Sequence, residues 1–135
     1  MRRVIPMAPP DRSSIREAIV GATRVLVAAG FAPEDALIDA RVLARHAFGL
    51  DAEALIVREL EPPDATGLAT YDRLVARRLA HEPVAYIVGH REFFGREFLV
   101  TPAVLVPRPE TELIVELALA RLPDRCQPLA IVDIG

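Results

Sequence analysis

The stretch from Glu92 to Val100 reads EFFGREFLV, and it separates two kinds of sequence. Residues 92–94 and 97–100 are rich in residues that favour strands, and Gly95-Arg96 between them has the composition of a turn. This pattern predicts a β-hairpin. Because an isolated hairpin is barely stable in water, we expect it to pack against a neighbouring element.

The sequence before the hairpin predicts four amphipathic helices, near residues 14–29, 33–48, 52–60 and 64–80. Ser14 and Glu17 have the spacing of a capping box. Gly30 and Gly49 are typical helix ends, and Pro33 is typical of a first turn. The apolar spacing predicts these inward-facing residues: Ile15, Ile19, Ala22, Leu26, Ala29, Ala36, Leu37, Ala40, Leu43, Ala44, Ala47, Leu68, Tyr71, Leu74, Val75 and Leu79. Residues 84–88, VAYIV, are rich in strand formers and end at Gly89.

The sequence after the hairpin has the pattern of an α/β domain. Pro102, Pro107 and Pro109 favour an extended linker, and a helix follows to about residue 122 with Leu113, Leu117 and Ala120 on one stripe. The closing residues 129–135, LAIVDIG, form an apolar run that ends in an acid and a glycine. Such a run is typical of a buried parallel strand that leads into a ligand-binding loop.

These patterns predict a mainly α fold in three parts. Residues 1–82 form a small helical bundle and residues 83–107 a β-hairpin linker. Residues 108–135 form the first helix and strand of a truncated α/β, Rossmann-like domain. An opening strand without neighbours cannot build a parallel sheet, so we expect the fold to continue beyond Gly135.

Composition excludes several classes of protein. The 135 residues contain no apolar run long enough to span a membrane, and Cys126 has no partner for an internal disulfide, which favours the cytoplasm. The net charge of −3 argues against a broad nucleic-acid surface.

All 16 basic residues are arginine, which we attribute to a GC-rich genome. Arg73, Arg77 and Arg78 form a basic patch that is most simply a solvated face, although it could contact an acidic partner or RNA.

Four groups of residues are candidates for a functional role. His46, His81 and His90 are too widely spaced for a metal site, so no metal is expected. The segment Arg108-Pro109-Glu110-Thr111-Glu112 has the pattern of a helix start, but Arg108, Thr111 and Glu112 could also line a cleft. The aromatic group Tyr86, Phe93, Phe94 and Phe98 could pack within the hairpin or wall a substrate site. Asp133-Ile134-Gly135 is a weak signal for a nucleotide-type loop.

The motifs, taken in order, resemble one family. PVAYIVG at residues 83–89, EFFG at 92–95, VPRPETE at 106–112 and VDIG at 132–135 are similar to the release-factor glutamine methyltransferases, the HemK or PrmC family. The segment DARVL at residues 39–43 is similar as well. The resemblance covers the chain from about Ser14 onward.

The resemblance implies a function. The family transfers a methyl group from S-adenosylmethionine to the glutamine amide nitrogen in the Gly-Gly-Gln motif of peptide chain release factors. It implies that Asp133 and Gly135 begin the cofactor loop, and that Arg108, Thr111 and Glu112 line the cleft. Phe93 and Phe94 are further cleft candidates from the aromatic pattern of the hairpin. The family's catalytic Asn-Pro-Pro-Tyr motif does not occur in these 135 residues, so they supply no catalytic residue and should be inactive alone.

Two other functions stay open. One is a related methyltransferase that acts on a ribosomal-protein glutamine or on nucleic acid. The other is a helical protein-binding module without enzymatic activity. The sequence Pro-Glu-Thr-Glu after Arg108 favours the release-factor type. The expected partners are peptide chain release factors, bound through the helical domain and the hairpin. Neither a membrane nor direct nucleic-acid contact is expected.

Overall fold

A computed structural model describes residues 12–122, 126, 128, 130–132 and 134. Within these residues the protein is mainly helical with one antiparallel hairpin, which confirms the predicted fold class. The chain divides into two compact units, one ending at Gly89 and one beginning at His90, here called the helical unit and the hairpin unit. The elements are α1 (Ile15–Ala28), α2 (Pro33–Phe48), α3 (Ala52–Arg58), α4 (Ala65–Leu79), α5 (Val84–Val88), β1 (His90–Phe93), β2 (Arg96–Leu99), a 3₁₀ turn (Pro109–Thr111) and α6 (Glu112–Arg121).

Side-chain caps fix where the helices begin. The Ser14 hydroxyl accepts the Glu17 N–H at 3.2 Å, as predicted. The Glu17 carboxylate, however, accepts from the Ser13 N–H at 2.8 Å and the Ser13 hydroxyl at 2.6 Å, not from Ser14. Ser13 offers two donors to one carboxylate, and these hydrogen bonds hold the pKa of Glu17 below its usual value. The predicted capping box is therefore only half formed.

Polar caps and glycine also set the limits of the next three helices. Gly49 ends α2 in the left-handed conformation, at φ 63°, which glycine adopts without strain. Asp51 and Asp64 accept the N–H groups of Ala54 and Gly67, each at 2.7 Å, and so cap α3 and α4. All four predicted helices before the hairpin are present.

The core of the helical unit lies between α1, α2 and α4. Leu26, Leu43 and Tyr71 are its largest fully buried side chains, and the Tyr71 hydroxyl donates to the Ala40 carbonyl at 3.1 Å. Two predicted inward residues are exposed. Leu37 lies beside the face that Ala36 and Ala40 define, and Ala29 follows the last turn of α1.

The segment 84–88 forms a helix, so reading it as strand-forming sequence was wrong. The Pro83 carbonyl accepts the N–H groups of Tyr86 and Ile87, and Gly89 ends the helix at φ 82°. Ala85, Ile87 and Val88 are buried, and α5 packs against α2 and α4. Because β-propensity mainly measures how a side chain packs, this burial outweighs it.

The hairpin unit contains the predicted hairpin, but its turn is shifted by one residue. Phe93 pairs with Arg96, so the turn is Phe94-Gly95 and not Gly95-Arg96. A two-residue hairpin turn of the favoured type needs positive φ at both positions, and these two residues have φ 51° and 68°. Arg96 is not required to adopt positive φ in this register.

The helix after the linker is present as α6, and its stripe of Leu113, Leu117 and Ala120 is exposed within the described part of the unit. Residues 129, 133 and 135 of the predicted closing strand lie outside the described residues. Ile131, Val132 and Ile134 are exposed and belong to no helix or strand. The closing strand therefore stays a prediction. No helix in the described part of the chain is long and apolar enough to cross a membrane.

Candidate functional site

The hairpin turn brings two of the predicted cleft residues together. The Phe94 N–H donates to the Glu112 carboxylate at 2.9 Å, across 18 residues of sequence. Glu112 is the first residue of α6, and Phe94 occupies the left-handed conformation that few non-glycine residues adopt. The carboxylate therefore holds the hairpin turn beside the start of α6.

The other two predicted residues of this segment lie close in sequence but contribute differently. Arg108 precedes the 3₁₀ turn, and its carbonyl accepts the Thr111 N–H at 3.0 Å. Both side chains are exposed, and within the described residues neither makes a side-chain hydrogen bond or ion pair. The helix-start reading of this segment is thus correct for its backbone, and the Arg108 and Thr111 side chains remain accessible.

The predicted aromatic group is divided by the fold. Phe93 and Phe98 contact each other edge to face across the hairpin, with ring centroids 6.1 Å apart. Phe94 points from the turn and is partly exposed. Tyr86 lies on α5, in the helical unit, whereas the three phenylalanines lie in the hairpin unit. Hairpin packing therefore explains Phe93 and Phe98, and Phe94 stays a cleft candidate.

The predicted basic patch on α4 is largely neutralised. Arg77 forms an ion pair with Glu82 at 2.5 Å, and Arg77 lowers the pKa of Glu82 by donating hydrogen bonds to it. Arg78 pairs with Asp39 at 2.7 Å and donates to the Glu82 carbonyl at 3.1 Å. This patch is therefore a solvated face whose charges are mostly paired. Arg73 donates to the Thr70 hydroxyl at 3.2 Å and forms no ion pair within the described residues.

Sequence reasoning missed the residues that link α4 to the α1–α2 connection. The Arg78 guanidinium lies over the Phe31 ring at 4.2 Å from its centroid, and the same ring stacks on His81 at 4.9 Å. A cation over an aromatic face is attractive, and stacking adds to it. No signal in the sequence joins Phe31 to residues about 50 positions later, since the contact depends on the packing of two helices.

The helical unit also contains a cavity of about 380 Å³ between α1 and α4. Its walls are mostly apolar, and the ion pair between Arg12 and Asp72, 2.5 Å long, stands at its edge. A space of this kind can receive an apolar side chain, but its lining offers no nucleophile next to a base.

Within the described structure, no cluster of three or more His, Cys, Asp or Glu side chains could hold a metal ion. The His90 imidazole pairs with Glu97 at 2.6 Å on the hairpin. The predicted cofactor residues Asp133 and Gly135 lie outside the described residues, so their role stays a prediction. The described groups around the turn include no nucleophile next to a base.

The described residues form a small all-α domain, followed along the chain by a β-hairpin and a further helix. The family described as the PrmC N-terminal domain matches residues 17–89, which is more than half of the chain. The chain belongs to this family, and the resemblance read from the sequence motifs is confirmed.

Individual relatives agree with the family match. The chain is 52% identical over 103 residues to a release factor glutamine methyltransferase of Burkholderia pseudomallei, covering 76% of this chain and 35% of the relative. It is 44% identical over 98 residues to a protein of the same name from Bordetella pertussis, covering 73% and 36%. A bifunctional methyltransferase of Rickettsia prowazekii is 38% identical over 88 residues, covering 65% and 17%. The chain spans about a third of the length of the first two relatives.

Proposed function

We propose that this chain is the N-terminal part of an S-adenosylmethionine-dependent methyltransferase that modifies a glutamine in peptide chain release factors. The methylated atom is the side-chain amide nitrogen of the Gly-Gly-Gln motif. The observation that carries this proposal is the family match over residues 17–89, together with relatives named release factor glutamine methyltransferase. A cytoplasmic location agrees with substrates that act in translation.

The proposal assigns a role to each part of the chain. Residues 1–82 dock the protein substrate, residues 83–107 carry the hairpin linker, and residues 108–135 begin the methyltransferase domain. Asp133 and Gly135 start the cofactor loop, where a glycine lets the backbone approach a ligand closely. The cofactor supplies an electrophilic methyl group. The 135 residues alone should show no transfer activity, since they contain no Asn-Pro-Pro-Tyr motif.

The chemistry makes positioning the main task of the protein. An amide nitrogen is a poor nucleophile because its lone pair is delocalised into the carbonyl group. Catalysis therefore depends on holding the amide in one orientation, which fixed contacts achieve by removing freedom before the reaction. The contact between Phe94 and Glu112 supports this role because it fixes one turn of the hairpin beside α6.

The surface of the helical unit supports docking of a protein. Ile56, Val57 and Leu60, on α3 and just after it, are exposed by 64%, 80% and 67% of their area. Neighbouring exposed apolar side chains are typical of an interaction surface. We propose that this short apolar stretch contacts the release factor.

A methyl-transfer assay tests the proposal. The protein extended through its methyltransferase domain is incubated with labelled S-adenosylmethionine and a release factor. Label should enter the release factor, and a Gln-to-Ala change in its Gly-Gly-Gln motif should abolish labelling. Label on a ribosomal protein instead would transfer the assignment to the related group. Absence of label on every protein, with binding of a release factor retained, would make the chain a binding module.

A variant pair tests the docking role. Changing Ile56 and Val57 together to Ser should raise the KM for the release factor and leave kcat unchanged, because these residues act before the chemical step. The matched control changes Val20 and Val27 on α1 to Ser, since both are also partly exposed. Equal KM values for the two variants would remove the apolar stretch at α3 from the proposal.

A further inference from the structure

We infer that one face of the hairpin binds an acidic, apolar segment of the protein substrate. This arginine–phenylalanine face consists of Arg91, Phe93, Arg96 and Phe98. The inference rests on the proposed function in one respect, namely that the partner is a protein. The face itself follows from the register of the two strands.

The register places the four side chains in a two-by-two arrangement. Arg91 lies opposite Phe98, and Phe93 lies opposite Arg96. Because side chains alternate along a strand and opposite residues share a face, all four project from the same side. The phenylalanine rings meet along one diagonal, 6.1 Å apart. The arginines occupy the other diagonal, at a separation of roughly 7–8 Å between such positions.

The opposite face of the hairpin has the opposite charge. Glu92 lies directly opposite Glu97, and His90 lies opposite Leu99. The contact between the His90 imidazole and the Glu97 carboxylate, at 2.6 Å, lies on that side. The ribbon therefore has cations and aromatic rings on one face and carboxylates on the other.

The arginines are available to a partner. Arg91 and Arg96 are exposed, and within the described residues neither forms an ion pair with a carboxylate. The nearest acids along the strands, Glu92 and Glu97, belong to the other face. Phe98 is 45% exposed between them. Two exposed guanidinium groups without an ion pair can each bind an anion, and the rings between them favour an apolar group.

A short acidic peptide fits this face better than a nucleic acid does. A guanidinium can hold a carboxylate through two parallel hydrogen bonds, so two arginines suit one or two acidic side chains. Nucleic-acid binding gains its affinity from neutralising many phosphates, and this face offers only two cations. Carboxylates on the reverse of the same ribbon and a net charge of −3 repel a polyanion more strongly than a segment with one or two acidic side chains. We therefore expect Asp or Glu next to Leu or Phe in the bound segment.

Peptide binding to the 135-residue chain tests the inference. The probe is a fluorescent peptide that carries Gly-Gly-Gln flanked by Asp-Leu and Glu-Phe, and its neutral counterpart replaces Asp and Glu with Asn and Gln. Changing Arg91 and Arg96 together to Gln should weaken binding of the acidic peptide about tenfold, as expected for losing two exposed charge pairs. The neutral peptide should bind weakly to both proteins.

The matched control changes Glu92 and Glu97 together to Gln, on the reverse face of the same ribbon. It should leave the affinity for the acidic peptide unchanged or increase it. Restoring charge with Lys at positions 91 and 96 should recover part of the affinity, and circular dichroism should show the same helix content for all variants. Equal affinities for the Arg and Glu variants would overturn the inference. Tighter binding of a single-stranded RNA oligonucleotide than of the acidic peptide, lost with the two arginines, would overturn it as well.

The two proposals can fail separately. In the methyl-transfer assay, the Arg91→Gln, Arg96→Gln protein should have a raised KM for the release factor and an unchanged kcat. Methylation with an unchanged KM would refute the hairpin inference and keep the proposed function. Loss of peptide binding in a protein that labels no release factor would refute the proposed function and keep the hairpin inference.

Discussion

Removing the Glu112 carboxylate should release the hairpin turn from α6. In the turn, Phe93 pairs with Arg96, so the Phe94 N–H has no partner in the strand ladder. The Phe94 N–H instead donates to the Glu112 carboxylate at 2.9 Å. Glu112→Ala leaves this N–H to water, and Glu112→Gln keeps an acceptor oxygen without the charge.

The size of the effect follows from the exposure of the contact. A hydrogen bond to a charged group contributes about 1.5–3 kcal/mol when shielded, and the surface position lowers this to about 1 kcal/mol. Protection of the Phe94 amide against hydrogen exchange should therefore fall about fivefold in Glu112→Ala, with a smaller loss in Glu112→Gln. The measurement is amide exchange by NMR on the labelled chain.

Glu110→Ala is the matched control, because Glu110 is an exposed acid in the preceding turn. It should leave the Phe94 amide unchanged. The amide of Leu43, in the buried core, should keep its protection in all three variants. Unchanged exchange at Phe94 in Glu112→Ala, or an equal change in Glu110→Ala, would refute the idea that the carboxylate holds the turn.

Three further predictions concern the helical unit. Gly67→Ala should destabilise the protein by about 1–2 kcal/mol in urea unfolding, because the new methyl would lie 2.6 Å from a Phe48 ring carbon. This overlap outweighs the helix preference for Ala, and a gain in stability would contradict the prediction. Burial raises the pKa of Tyr71 above its ordinary value of 10. The free energy of unfolding should therefore decrease as the pH rises above 10, and Tyr71→Phe should have a smaller decrease of Tm over the same pH range. The hydrogen bond from Arg16 lowers the pKa of Glu59 below 4.5. The contribution of this pair to stability is therefore present above pH 4.5 and lost as the pH falls, so Glu59→Gln should have a smaller decrease of Tm in acid.

The helices were predictable because their limits are encoded locally. Asp51 and Asp64 cap the helices that follow them, and Gly49 ends α2. Each of these signals acts within four residues, so it can be recognised from the sequence alone. The cleft candidates Phe94 and Glu112 were also predicted individually, although their hydrogen bond could not be.

Non-local contacts decided the features that the sequence did not predict. Residues 84–88 are strand formers, but a five-residue segment gains more from burying Ile87 and Val88 than it loses in propensity. Arg78 belongs to a run of arginines that suggested a basic patch, and its partner Asp39 lies 39 residues earlier. Such pairs depend on how α2 and α4 pack, which periodicity alone does not specify.

The hairpin shows how one residue of register determines a surface. With the turn predicted at Gly95-Arg96, Arg96 would lie in the turn, and Phe93 would face Phe98 directly. With the observed turn at Phe94-Gly95, Arg96 enters the strand opposite Phe93, and Arg91 comes to lie opposite Phe98. The shift is favoured because it lets glycine occupy the second turn position and leaves Arg96 with the backbone of a strand. The strain of positive φ at Phe94 is the cost, and the Glu112 carboxylate on its N–H offsets part of it. The same contact that fixes the turn thus also determines which side chains the hairpin presents to a partner.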